Sequence, residues 1–183
     1  MNRPNNERYQ ATERKITDAF IQLLSEKPAS EVTVSEICRL SGIHRTSFYL
    51  HFQDVDALMS QIEIRLAKYY AALFTGHAES YNIGQRFEQL FAFIYEHQNF
   101  YRAYWHRSRA LHVLDAALSS ETEVNMRKTA SDYGFQSETE LDYHRAFFKA
   151  GLAALIGYWL SRGCQETPEE LSKILRREYL RKA

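Results

Sequence analysis

The stretch SGIHRTSFYLHF, residues 41–52, combines one glycine with a dense run of polar and aromatic side chains. Glycine can adopt the left-handed backbone conformation that a sharp turn between two helices requires. Before it, Val34, Ile37 and Leu40 lie at helical spacing, and after it residues 44–50 predict another short helix. A short helix, a glycine turn and a second short helix form the helix-turn-helix, whose second helix enters the major groove of DNA.

Two signals upstream complete the N-terminal part of this pattern. From residue 12 onward, an apolar stripe at helical spacing predicts an amphipathic first helix. It ends at Lys27, because the residue before Pro28 avoids helical backbone angles. The sequence Thr33-Val34-Ser35-Glu36 is a capping box and predicts the start of the second helix. Residues 1–11 are polar and predict a mobile arm.

Helical spacing divides the motif into an inner and an outer set of side chains. The apolar side chains that can pack against the first helix are Ile37, Leu40, Ile43, Phe48 and Phe52. The outer or rim set comprises Arg45, Thr46, Ser47, Tyr49 and His51. Arginine can bind guanine or phosphate, serine and threonine can bind phosphate or a base, and tyrosine and histidine can donate to phosphate oxygens. Thr33, at a helix start, adds backbone amides and the positive end of the helix dipole.

A plain three-helix packing unit with a solvated outer face is the alternative, because helical hairpins are common. Net charge does not decide between the two interpretations. Lys and Arg together equal Asp and Glu over the whole chain, and residues 1–53 hold seven basic against six acidic side chains. Any positive surface must therefore come from local clustering.

The remainder of the chain keeps the helical pattern. Asp54 is a candidate N-cap for a fourth helix, and Thr167-Pro168 opens the last helix with proline at its first position. The helix predicted over residues 138–162 has so wide an apolar surface that burial on two sides is expected. No segment has the alternating pattern of a strand. The sequence therefore predicts an all-α chain with an N-terminal arm and helix-turn-helix domain over residues 1–53 and a larger helical domain over residues 54–183.

Several function classes find no support in the sequence. The polar N-terminus lacks a signal peptide, and no apolar run reaches the roughly 18 residues of a membrane span. Cys38 and Cys164 stand apart without metal-ligand spacing and indicate reduced residues of a cytoplasmic protein. The spacings of His97, His106 and His112 do not place them on one helical face. We therefore expect no metal, no cofactor and no catalytic group.

Residues 12–62 resemble the N-terminal domain of the TetR family of transcriptional regulators. The resemblance follows the family's order: an amphipathic first helix, TVSEI at the start of the second, SGIHRTSFYLHF as turn and recognition helix, then an aspartate and an apolar fourth helix. One departure is Val55, which stands where the family usually has a lysine that holds phosphate. The resemblance implies phosphate contacts by Thr33, Tyr49 and His51, and base or backbone contacts by Arg45, Thr46 and Ser47.

The same resemblance places a small-ligand site in the middle of the chain, at about residues 54–135. The segment YEHQNFYRAYW, residues 95–105, is similar to regulators of dihydroxyacetone kinase operons. The aromatic side chains that could line an apolar pocket with polar tips are Tyr69, Tyr70, Phe91, Tyr95, Tyr101, Tyr104 and Trp105. Core packing is the alternative, because an aromatic stripe at helical spacing more often belongs to the core.

Members of the TetR family pair through their last two long helices. The broad apolar face of residues 138–162 and the helix over residues 167–181 fit this role, because such a face on a monomer would be an unusually large apolar patch. The side chains expected at the interface are Phe148, Leu152, Leu155, Trp159, Leu171 and Leu175. The alternative is that these helices form only the core of one subunit.

The resulting hypothesis is a cytoplasmic, homodimeric DNA-binding transcription regulator and not an enzyme. The expected partners are a near-palindromic double-stranded operator, a second copy of the chain and a small organic ligand that releases a repressor, with no membrane involved. An activator, or a regulator controlled by a protein partner, is the alternative within this class. Two alternatives from other classes are a helical dimer that has lost DNA binding and a small helical enzyme that acts on an aromatic metabolite.

Overall fold

The computed structural model describes residues 7–73, 83–107, 111–118, 134–135 and 137–179. No strand occurs within these ranges, and this confirms the all-α prediction. The helices are α1 (Glu7–Glu26), α2 (Val34–Ser41), α3 (Arg45–His51), α4 (Val55–Leu73), α5 (Ile83–Glu96), α6 (Gln98–Arg107), α7 (His112–Ala117), α8 (Glu138–Ser161) and α9 (Pro168–Tyr179), with a short 3₁₀ turn at Ala29–Glu31 between α1 and α2.

The chain forms two compact units, and the division falls inside α4. The first unit ends at Ile64 and the second begins at Arg65. The first half of α4 therefore belongs with the helix-turn-helix. The sequence-based boundary between residues 53 and 54 lies at the start of this helix and stays a prediction.

The first unit encloses a small apolar core to which α1, α2 and α3 all contribute. Ile16 and Phe20, one turn apart on α1, are fully buried, as are Ile37 of α2 and Phe48 of α3. Phe52, just after α3, is buried as well. Three of the five predicted inner residues therefore form the core, with two differences: Leu40, near the end of α2, remains 37% exposed, and Ile43 is half-buried.

The start of α1 differs from the prediction. The helix already begins at Glu7, so a mobile arm over residues 7–11 is wrong, while residues 1–6 lie outside the described part of the chain. The physical reason is a tertiary contact that polarity alone does not reveal. The ring of Tyr9 packs on that of His51, with a distance of 3.9 Å between the ring centroids.

In the second unit, α5 packs against α9 and α6, while α6 also packs against α8. The buried side chains on α5 include Phe87, Leu90, Phe91 and Ile94, and those on α9 are Leu171, Ser172 and Leu175. Within the described residues, no helix is long and apolar enough to span a bilayer.

The packing of α6 on α8 depends on one glycine. Gly157 is buried, and a Cβ atom added there would overlap the indole ring of Trp105. Only a residue without a side chain lets the two helices approach this closely. Two hydrogen bonds close the end of α8. The amide of Cys164 donates to the carbonyl of Trp159 over 2.9 Å, and the amide of Gly163 donates to the carbonyl of Leu160 over 3.0 Å. Gly163 adopts a left-handed φ of 78°.

Candidate nucleic-acid interface

Local sequence fixes the geometry of the turn between α2 and α3. Gly42 has φ 67° and ψ 23°, the left-handed conformation expected of the residue that ends a helix. The amide of Ile43 donates to the carbonyl of Cys38 over 3.1 Å, and this bond closes the turn. His44, with ψ 144°, is extended, so α3 starts in a new direction at Arg45.

One side of α3 faces solvent and the other faces the core. Arg45, Thr46, Tyr49 and Leu50 are exposed, and their spacing of i, i+1, i+4 and i+5 defines a single outer face. Phe48, on the opposite side, is fully buried. Tyr49 is 50% exposed and Leu50 is 66% exposed, while Ser47 is half-buried at the rim.

Arg45 and Tyr49 are linked across one helical turn. A hydrogen bond to the Tyr49 side chain raises the pKa of the Arg45 guanidinium. Arg45 therefore stays charged on the same outer face as the phenol ring.

The capping box at the start of α2 is complete. The Thr33 hydroxyl accepts from the Glu36 amide at 3.3 Å and donates to the Glu36 carboxylate at 2.8 Å. The Thr33 amide donates to the same carboxylate at 3.1 Å, and Lys27 Nζ lies 2.6 Å from Glu36 Oε1. The hydrogen bond from Lys27 and those from Thr33 lower the pKa of Glu36 to about 2.

These bonds bear on the phosphate role predicted for Thr33. Its hydroxyl is exposed but already engaged in the cap, and a carboxylate lies beside it. Lys27 offsets that negative charge. A phosphate at this helix start would therefore meet the positive end of α2 and a neutralised ion pair.

The structure corrects the placement of His51. Its side chain is only 1% exposed, packs on Tyr9, and has Nδ1 3.8 Å from Glu13 Oε1. The outer position expected for it is wrong, because Tyr9 and Glu13 of α1 cover the His51 side chain at the end of α3. Its contacts join α3 to α1.

The start of α4 has an acidic character. Asp54 is the predicted N-cap, and its Oδ1 accepts from the Ala57 amide at 2.7 Å. Val55 occupies the first helical position and Asp56 the second. Val55, which stands where the family usually has a phosphate-binding lysine, therefore has a carboxylate on each side.

The aromatic residues expected to line a pocket do not face one space. Tyr70, Phe91, Tyr101 and Tyr104 are buried, Trp105 is partly buried, and Tyr69 and Tyr95 are 57% and 42% exposed. The buried rings pack on other rings of the same unit: Tyr70 on Phe93 at 5.2 Å, Phe91 on Trp159 at 6.0 Å and Tyr104 on Phe100 at 5.6 Å. Burial raises the pKa of Tyr70. For the buried members, core packing accounts for their positions.

The residues expected at a dimer interface also need a correction. Phe148, Leu152, Trp159, Leu171 and Leu175 are each at most 7% exposed within one chain, and Leu155 is half-buried. They face their own unit: the ring centroid of Phe148 lies 5.6 Å from that of Phe87 on α5. A second copy cannot cover side chains that the chain itself already encloses.

A different strip of α8 is exposed. Tyr143, Phe147 and Tyr158 are 75%, 71% and 63% exposed, and Ala150 and Ala154 lie between them on the same side. Spacings of four, three, four and four residues place all five on one stripe of the helix. On α9, Ile174 is 41% exposed. The sequence pattern places Phe147, Ala154 and Tyr158 beside the first apolar stripe, but it does not show which of the two stripes faces solvent.

Other reactive side chains do not gather into a site within the described residues. No group of three or more His, Cys, Asp and Glu side chains there could hold a metal ion. Cys38 and Cys164 are free and buried, and burial raises the pKa of both thiols. His97 lies in the turn between α5 and α6, His106 lies on α6 and His112 on α7, and burial lowers the pKa of His97.

The turn geometry and the exposed face of α3, followed by a larger helical unit, define a protein of the helix-turn-helix class. Residues 16–62 match the family described as "Bacterial regulatory proteins, tetR family". Residues 81–178, more than half of the chain, match the TetR family's "Transcriptional regulator C-terminal region". The chain belongs to the TetR family of bacterial regulatory proteins.

Two curated relatives are named as HTH-type transcriptional regulators. The HTH-type transcriptional regulator YxbF of Bacillus subtilis (strain 168) is 22% identical over 177 residues, which cover 90% of this chain and 43% of that protein. An HTH-type transcriptional regulator of Haemophilus influenzae is 48% identical over 48 residues, 26% of this chain and 23% of that protein. The chain thus spans less than half the length of these curated relatives.

Two solved structures share the fold. The dihydroxyacetone kinase operon activator DhaS superposes with a TM-score of 0.62 at 20% identity, over 92% of this chain and 94% of that one. The fatty acid degradation regulator FadR from Bacillus halodurans gives a TM-score of 0.63 at 14% identity, over 93% of this chain and 98% of that one. At these identities the likeness concerns the fold alone.

Proposed function

We propose that this chain is a homodimeric transcription regulator that acts in the cytoplasm, binds a near-palindromic operator through α3, and is a repressor released by a small organic ligand. The observation that carries the proposal is the outer face of α3. It presents a charged, hydrogen-bonded Arg45 and an exposed Tyr49 opposite the buried Phe48. A helix held by its apolar side and free on its polar side suits insertion into the major groove.

The individual contacts follow from exposure and chemistry. Arg45 reaches a guanine edge or a phosphate, Thr46 touches a base, and the Tyr49 hydroxyl donates to phosphate. Ser47, at the rim, and Thr33, at the start of α2, contact the backbone of the duplex. His51 has no direct contact in this proposal, because its side chain lies against α1.

Dimerisation is proposed through the exposed strip of α8, together with Ile174 of α9. Three aromatic side chains that are more than half exposed form an apolar surface of the kind that marks an interface. Ala150 and Ala154 let a second helix approach closely between them. A two-fold pair would read two half-sites about one turn of DNA apart or a multiple of it.

The direction of regulation and the ligand rest on resemblance. The fold neighbour DhaS is named as an activator, so activation is the alternative direction, and control by a protein partner is the alternative to a small ligand. A relation to the regulators of dihydroxyacetone kinase operons is proposed on the same basis. No individual residue is assigned to the ligand, since the buried aromatic candidates pack on other rings of their own unit.

A salt titration with a natural duplex tests this function. Wild-type protein would be titrated against DNA from upstream of its own coding sequence and against a shuffled duplex, between about 50 and 200 mM salt. We expect two chains per duplex, a preference for the natural sequence, and an affinity that falls steeply with salt. Equal binding of the two duplexes would support a helical dimer that has lost DNA binding, and it would overturn the proposal.

A further inference from the structure

Leu50 is the most exposed large hydrophobic side chain described in the first unit. It is 66% exposed, compared with 50% for Tyr49 and 37% for Leu40. It lies near the end of α3, on the opposite side from the core residue Phe48. Packing within the unit therefore gives no reason for an apolar residue here.

A single exposed leucine is common in folded proteins and needs no explanation by itself. Leu50, however, lies on the outer face of α3, the face proposed to contact DNA. At about 100° of rotation per residue, Leu50 lies about 40° from Thr46 around the helix, and Tyr49 lies about 40° from Arg45. The outer face of α3 thus has a polar edge formed by Arg45 and Tyr49 and an apolar edge formed by Leu50 and the methyl group of Thr46.

The two edges match different chemical groups of a base pair. The major groove offers acceptors on guanine for an arginine, and one apolar group, the C5-methyl of thymine. An aliphatic side chain gains affinity when it removes that methyl group from water, and it gains nothing from the hydrogen-bonding edges. Leu50 therefore distinguishes thymine from the other natural bases by contact rather than by hydrogen bonding.

We propose that Leu50, supported by the Thr46 methyl group, is a specificity-determining residue that reads the 5-methyl group of a thymine in each operator half-site. This rests on the proposed function, because it requires α3 to lie in the major groove. It adds a requirement that the polar residues do not impose. The half-site must contain a thymine beside the position that Arg45 contacts.

Deoxyuridine gives the sharpest probe, because it differs from thymidine only by the missing methyl group. The full chain would first select its operator from a pool of randomised duplexes. Each thymine of the selected sequence would then be replaced singly by deoxyuridine. We expect replacement at one or two positions of a half-site, and at the equivalent positions of the other half-site, to weaken wild-type binding about fourfold. This is the effect expected of one buried methyl-sized group.

Variants of Leu50 test whether its side chain causes this loss of affinity for the deoxyuridine duplex. In Leu50→Ala, the thymine and uracil duplexes should bind equally at the sensitive position, while Leu50→Met, which keeps apolar reach, should retain most of the preference. Leu40→Ala is the matched control, since Leu40 is an exposed leucine on α2. It should leave the fourfold ratio unchanged. All three substitutions are at exposed positions, so thermal unfolding should show that each variant folds.

Two results would overturn the inference while leaving the proposed function in place: specific operator binding with no uracil-sensitive thymine, or a sensitivity that Leu50→Ala fully retains. Failure to select any sequence would be a different result. It would remove the proposed function and this inference together.

Discussion

At the scale of single residues, Glu36 carries the most concentrated set of polar contacts described in the first unit. Because its pKa is lowered from 4.5 to about 2 by Lys27 and Thr33, the charged form is the one that the fold prefers. A group with a lowered pKa stabilises the protein at pH values above its unfolded pKa, and that contribution disappears as the pH falls toward its folded pKa. The contribution of Glu36 should therefore be full above about pH 4.5 and lost progressively toward pH 2.

Glu36→Gln tests this contribution. We expect a lower Tm than wild type at pH 7, and a difference that shrinks between pH 4.5 and pH 2. The difference should be modest, because the side chain is 32% exposed and water screens its charge. Thermal melts followed by circular dichroism give the comparison, with the exposed Glu31→Gln as control. A difference that is constant across this pH range would contradict the assignment.

His51 and Tyr9 form the second residue-scale test. Their rings, tilted by 34° with centroids 3.9 Å apart, join α3 to α1, and aromatic pairs contribute about 0.5–1.5 kcal/mol beyond burial. A double-mutant cycle with Tyr9→Ala and His51→Ala, measured by urea unfolding, should give a coupling free energy in that range. Additive effects of the two substitutions would show that the rings do not support each other.

Residue chemistry predicted His51 on the outer side of α3, but its side chain is buried. Histidine can donate to phosphate, and the resemblance assigned it that role. Spacing could not reveal the difference, because Arg45 and His51 both lie three residues from Phe48 and only Arg45 is exposed. The His51 side chain is covered by Tyr9 and Glu13 of α1, a tertiary contact. Arg45, Thr46 and Tyr49 were predicted on the outer side and are exposed. Their contact with DNA stays a prediction.

At the scale of elements, Gly157 controls how closely α6 and α8 approach. Gly157→Ala would place a methyl group on the indole of Trp105, so we expect overpacking to cost about 1–3 kcal/mol of unfolding free energy. In the background of Trp105→Ala, which removes the ring, the same substitution should cost little. If Gly157→Ala destabilises both backgrounds equally, the contact with Trp105 is not the cause.

The exposed strip of α8 makes a prediction about assembly. Phe147→Glu should convert the dimer into a folded monomer, because it places a charge in the proposed interface at a side chain that is 71% exposed in one chain. Tyr69→Glu, at an exposed aromatic residue outside the strip, should remain dimeric. Sedimentation equilibrium gives the mass of each. A monomeric wild type, or a dimeric Phe147→Glu, would contradict the proposed interface.

The same substitution at the next residue, Phe148→Glu, distinguishes an exposed interface position from a core position. Phe148 is 7% exposed and contacts α5, so Phe148→Glu should lower the Tm sharply rather than yield a folded monomer. Burying an unpaired carboxylate carries a large free-energy cost. Circular dichroism melts distinguish the two outcomes. A folded, monomeric Phe148→Glu protein would restore the interface first expected from the sequence.

The sequence predicted the positions of the helices better than it predicted which side of each helix is buried. Thr33 is an N-cap as its capping box requires, Pro168 begins α9, and Gly42 ends α2 in the left-handed conformation. On α8, however, two apolar stripes lie side by side. Periodicity shows that both exist, but the choice of the stripe that faces its own chain depends on tertiary packing, such as the contact of α8 with α6.

At the scale of the whole molecule, the formal net charge is zero. Long-range attraction to DNA therefore cannot come from total charge, and affinity must depend on the charges near α2 and α3. Under the proposed function, Val55 offers no charged side chain for the phosphate contact that the family's lysine makes. The contacts proposed for α2 and α3 would then have to supply a larger share of the affinity.

The central claim is that the outer face of α3 reads DNA. The most direct measurement is the affinity of wild type and Arg45→Ala for the selected operator and for a shuffled duplex of the same composition, at one moderate salt concentration. Wild type should prefer the operator by about 10³-fold or more. Arg45→Ala should lose about 1–3 kcal/mol of that preference with little change on the shuffled duplex. Wild-type protein that binds both duplexes with the same affinity would contradict the claim.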